Sequence, residues 1–245
     1  MTEPTRAAGP DGPEERRPLT TPTPQLFRPF WRSRRAAAIA GILFGVLLLA
    51  AMVMTRIALS DSSLDVLQSD LQRRNLIRWS LGLVPFAGIA FLWFIGVIRE
   101  QLGSVEDRLF STVFLGSGLL FLAMLFVGAI TSTSLVDMLD RPGVDAVVWE
   151  FGRDNAQGLF GVYAMRMAAV FTISVSTVGM RAAAMPRWVS FLGYLVAVVL
   201  LVASSGQPWL QLAFPTWVLL VSVVILVRSI RPPVTAAVPQ GHPDG

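Results

Sequence analysis

Six continuous apolar runs organise the chain, over residues 36–55, 79–98, 112–134, 158–178, 188–204 and 210–227, separated by short charged or turn-rich segments. Each run is close to the ~20 residues a helix needs to cross a ~30 Å hydrocarbon core. The runs do not alternate between apolar and polar positions, which argues for helices over barrel strands. A helix also satisfies its own backbone hydrogen bonds in lipid. The pattern predicts an all-α fold: a polytopic transmembrane helical bundle with six membrane-spanning helices. Pro85 and Pro215 fall inside runs and are expected to kink them without ending them.

The segments between the runs add detail. Residues 1–30 are rich in Pro, small and charged residues with little to bury, and are read as a disordered cytoplasmic tail that is not a cleavable signal. Residues 31–229 form the transmembrane domain, and 230–245 a second disordered cytoplasmic tail. In the first connection Leu64, Leu67 and Leu71 recur at helical spacing behind Ser60 and Asp61, predicting a short capped helix on the membrane surface. In the third, Arg141-Pro142-Gly143 reads as a turn, followed by helical structure over 144–151. Gly206 and Pro208 mark a tight hairpin over 205–209, making the fifth and sixth runs antiparallel neighbours. The two halves show no visible internal repeat.

Composition reinforces the membrane class: 53% of the 245 residues are hydrophobic and 15% charged, and the mean hydropathy is +0.60. All 20 basic residues are Arg. They flank the apolar runs, so we read them as topology signals and not as a nucleic-acid surface. With the N-terminus inside, ten arginines (Arg28, Arg32, Arg34, Arg35, Arg99, Arg108, Arg181, Arg187, Arg228, Arg231) lie inside and six outside. That bias predicts a protein of the inner (plasma) membrane with both termini cytoplasmic and the lipid bilayer as its surroundings. Arg73, Arg74 and Arg78 dissent from it. Trp31 and Trp188 at inner ends, and Trp79, Trp149 and Trp209 at outer ends, read as interfacial anchors.

The chemistry is mostly exclusion. The chain has no Cys and no Lys, and its one His, His242, lies in the C-terminal tail. Thiolate metal sites, Schiff bases and histidine catalysis within the bundle are therefore out of reach. No two carboxylates share the apolar runs, there is no Walker-type Gly-Lys element, and Gly116-Ser117-Gly118 lacks the spacing of a nucleophile elbow. No cofactor or enzymatic activity is expected.

Arg166 is the one ionisable residue inside the runs, near the middle of the fourth. A centrally placed Arg costs about 2.5–3.5 kcal/mol on insertion scales and more by other methods. Side chains lean toward the helix N-terminus, so the guanidinium is expected to reach the level of Thr131, Ser132, Thr133 and Ser134, with Asp137, Glu150 or Asp154 above and Tyr163 on the same face. Two roles follow: an internal strut joining the third and fourth runs, or a counter-charge for an anionic or proton-coupled solute. If Arg166 is a strut, Arg166→Leu should destabilise the fold. Thr172, Ser174, Ser176 and Thr177 below it are read as bonding to preceding carbonyls or neighbouring helices. Ala37, Gly41 and Gly45 form a small-residue face that suits either an internal contact or a homo-oligomer.

Tyr163 to Phe171, followed by Met185-Pro186-Arg187-Trp188 and Leu192-Gly193-Tyr194, resembles a pattern in uncharacterised bacterial six-helix integral membrane proteins. The resemblance covers roughly residues 158–200 and implies the architecture without a reaction. The expected function is that of a non-enzymatic interaction or accessory membrane protein, the alternative being small-solute binding or transport.

Overall fold

The computed structural model describes residues 30–59, 64–102, 108–141, 143–181, 185–202 and 207–230, and these are helical almost throughout. The tails up to residue 29 and from residue 231, the Ser60 and Asp61 caps, and residues 205 and 206 of the expected hairpin lie outside the described residues. The helices are α1 (Phe30–Leu59), α2 (Leu64–Ser69), α3 (Leu71–Leu102), α4 (Arg108–Met138), α5 (Ala146–Gln157), α6 (Met165–Arg181), α7 (Arg187–Val202) and α8 (Ala213–Ile230). A π-helical stretch, Gly158–Ala164, joins α5 to α6, and a 3₁₀ helix, Pro208–Leu212, leads into α8.

Five stretches are long and apolar enough to cross a membrane: Arg35–Leu59, Leu71–Arg99, Ser111–Met138, Ala146–Arg181 and Trp209–Ser229. The fifth apolar run forms α7, whose 16 residues reach about 24 Å at 1.5 Å per residue, short of the hydrocarbon thickness. Ile39, Phe86, Trp93, Ile130, Phe191 and Val198 are all more than half exposed on the outside of the bundle. An outer surface this apolar belongs against lipid.

Local capping explains the first departure from the expected boundaries. The predicted surface helix is cut at Asp70, whose Oδ1 accepts from the Gln72 and Arg73 backbone N–H groups at 2.9 and 3.1 Å. Asp70 thereby caps α3, and Leu71 opens α3 instead of continuing α2. Asp145 caps α5 in the same way, accepting from Val147 N at 2.8 Å, after a turn in which Gly143 takes φ 78°. Pro85 sits inside α3 on an exposed face without ending it.

The small-residue face of α1 is filled from within the chain. A Cβ on Gly41 would lie 2.0 Å from Ser222 Oγ, and one on Gly45 would lie 2.4 Å from Leu219 Cγ; Ala37 is fully buried. This face serves an internal contact of α1 with α8. These contacts also run α1 and α8 antiparallel, which sets Phe30 and Ile230 on one side of the bundle. We call that side the terminal face and the opposite one the distal face.

At the centre, Phe44, Phe91, Phe121, Phe171 and Phe214 from α1, α3, α4, α6 and α8 pack ring to ring, with centroids 4.5 Å apart for Phe44–Phe91, 5.1 Å for Phe91–Phe171 and 4.9 Å for Phe121–Phe214. This aromatic layer crosses the bundle from side to side. α7 packs chiefly along α6, where Ser176 Oγ fits against Gly193 and the Thr177 and Tyr194 hydroxyls are 2.9 Å apart. Counting along both helices from that contact sets Val202, the last residue of α7, opposite Met167.

Candidate functional sites

The depth of Arg166 follows from the pairing of α4 with the helix that carries it. Phe160 packs on Gly128 and Phe171 on Gly118, so Arg166 lies abreast of Ala123, the centre of the 31-residue α4. The Arg166 side chain does not turn toward the expected partners on α4. Arg166 is exposed on the outside of the bundle, and no hydrogen bond or ion pair joins it to any described residue. Tyr163, 60% exposed, shares that outward face.

The residues expected around Arg166 are engaged elsewhere. Thr131, Ser132 and Thr133 donate to the carbonyls of Val127, Gly128 and Ala129 at 2.8–2.9 Å, inside their own helix. Ser134 and Glu150 are exposed. Asp154 pairs with Arg153 at 3.4 Å. Asp137 accepts from Arg78 at 3.3 Å. Thr172, Ser174 and Thr177 donate to the carbonyls of Ala168, Val170 and Ile173, four residues back, as expected.

Asp137 belongs to a clasp that accounts for the dissenting arginines. Asp140 Oδ1 accepts from the buried Arg74 at 2.6 Å, and its other oxygen accepts from Arg78, which also reaches Asp137. Arg73 pairs with Asp70 at 3.2 Å. The three distal arginines are thus neutralised by carboxylates on their own side.

The second site is a cavity of about 450 Å³ in the distal half of the bundle. α1 has no breaker after Thr55 and runs on to Leu59, carrying Arg56 to its wall. A cation in the last turn of a helix is favoured by the helix dipole. The 3₁₀ helix, begun by Pro208, brings in the buried Gln211, whose Oε1 accepts from Arg56 Nη2 at 3.2 Å. The π-helical stretch adds to the wall: a Cβ on Gly161 would lie 2.8 Å from Gln211 Nε2, so a side chain there would shift the carboxamide. π turns are rare and recur at functional sites. Thr55 and Ser132 also line the cavity, but their hydroxyls bond to Ala51 O and Ser80 Oγ, and to Gly128 O. Leu48, Val84, Leu125 and Met165 form apolar walls. Phe44 and Phe121, one turn along from Leu48 and Leu125 toward the terminal face, belong to the aromatic layer. Trp149, expected at the interface, is 7% exposed and lines this cavity instead, because α5 turns it inward.

Sequence reasoning passed over this site. Its one signal was Gln211, the only carboxamide within the six apolar runs. No group of His, Cys or acidic residues capable of holding a metal ion occurs among the described residues. The described residues therefore define an all-helical protein with helices long and apolar enough to cross a membrane, carrying an outward arginine near the middle of one of them and a cavity with a polar wall. Comparison with family models, curated proteins and solved structures finds no match.

Proposed function

We propose that the protein is a six-span plasma-membrane protein, termini cytoplasmic, that acts without catalysis by pairing laterally with a different membrane protein. The observation that carries this reading is the outward guanidinium of Arg166 at mid-depth. A charge there is costly in lipid and is offset by pairing. The apolar runs contain no Asp or Glu, so a second copy offers no carboxylate at that depth. The partner on this reading presents a transmembrane helix with an acidic residue near its centre, against the face that holds Tyr163 and Arg166.

The test reconstitutes the full chain in vesicles with a labelled leucine-based spanning peptide carrying one central Glu, or with an all-leucine control, and reads energy transfer. The Glu peptide should associate about 5- to 30-fold more strongly, the scale of ~1–2 kcal/mol for an interhelical polar contact. Arg166→Leu should remove that preference while leaving the melting temperature unchanged. Equal association of the two peptides defeats the reading. So does a preference of Arg166 for anionic lipid with none for the Glu peptide, which would give the charge to headgroups.

A further inference from the structure

The distal cavity is a separate site, and it can be read for what it would hold. Its volume of about 450 Å³ falls in the ~300–1,000 Å³ range of small-molecule sites, and such sites combine apolar walls with a few placed polar groups. Here the polar groups converge on one wall. Arg56 offers a planar guanidinium, whose fork of donors matches a carboxylate, and Gln211 lies against it. At the rim, Arg153 and Asp154 pair with each other and add no net charge. Among the described lining residues the charged side chains are therefore Arg56 and the Arg153–Asp154 pair, beside an apolar chamber.

We infer that the distal cavity binds an amphiphile with one carboxylate head, seated on Arg56 and Gln211, and an apolar body among Leu48, Leu125, Met165 and Trp149. The planar fork of one guanidinium matches the two oxygens of one carboxylate. Gly161 sets its geometry by allowing Gln211 to lie flat against the π turn.

The experiment uses the full chain in phosphatidylcholine nanodiscs and a brominated ten-carbon monocarboxylate, which quenches nearby tryptophan. Quenching should saturate, and Trp149→Phe should remove the saturable part. Arg56→Gln should weaken binding about tenfold or more, the scale of a lost charge-assisted contact. Gly161→Ala, which leaves every charge in place, should weaken it as well by displacing Gln211. The corresponding brominated alcohol should bind about tenfold or more weakly than the acid. Phosphatidylserine in the disc separates two sources of the same head: competition assigns the carboxylate to a bilayer lipid, and lack of competition to a free acid. Equal binding of alcohol and acid, or an Arg56→Gln variant that folds and binds unchanged, overturns the inference. If Arg56→Gln fails to fold, Gly161→Ala and the acid-against-alcohol comparison decide it.

Discussion

Gly41 and Gly82 lie on neighbouring helices and predict opposite responses to the same substitution. Gly41 faces Ser222 Oγ and the Phe94 ring, so Gly41→Ala must push apart a packed α1–α8 seam. The expected cost is about 1–3 kcal/mol. A Cβ on Gly82 meets nothing within 4 Å, and Gly82→Ala should gain about 0.5–1 kcal/mol by restricting the unfolded backbone. Denaturation in detergent of the two variants beside the parent chain reads both signs. Arg166 makes the same point about side-chain environment. It makes no bond within the described chain, so Arg166→Leu should leave stability unchanged or slightly higher, against the loss expected of a strut.

At the scale of elements, the clasp on the distal face predicts a graded series. Asp140→Asn weakens contacts to both Arg74 and Arg78, and Arg74 is buried; the expected loss is about 1–3 kcal/mol, limited because Asp140 itself is half exposed. Arg73→Ala removes an exposed pair to Asp70 and should cost under about 1 kcal/mol. Urea or thermal titration of the two variants would rank them. The existence and approximate extent of the helices were legible because bilayer thickness imposes a length on apolar runs. Which face of each helix turns inward was far less legible, since lipid and core are both apolar and hydrophobic periodicity loses its contrast. For α1 the small residues supplied the missing signal. Gly161, Ala164 and Ala168 carry the same signal on the fourth run, because they lie on the buried side while Arg166 lies across the helix from them. Reading the charge as inward-seeking overrode that clue. The cavity was hidden for another reason: Arg56 and Gln211 are 155 residues apart, and each falls at a run's edge where polar residues are ordinary.

At the scale of the whole molecule, α1 and α8 run antiparallel, so the chain returns to its starting side even though α7 is short. The protein lacks cysteine, so single-cysteine variants can map its sidedness without altering a background. Arg35→Cys and Arg228→Cys should react with an impermeant maleimide from the same side of sealed vesicles, and Glu150→Cys only from the other. Reaction of Arg35→Cys and Arg228→Cys from opposite sides would contradict the packing of α8 on α1. The distal clasp has a further consequence, for biogenesis. Arg74 precedes Asp140 by 66 residues, which at ~5–20 residues per second is an interval of roughly 3–13 s on the ribosome. Until the end of α4 has been synthesised, Arg74 and Arg78 are without the two carboxylates of the clasp, Asp137 and Asp140. The clasp therefore closes only once α4 has followed α3 out of the ribosome, which makes the distal pairing of these two helices a late step in assembly.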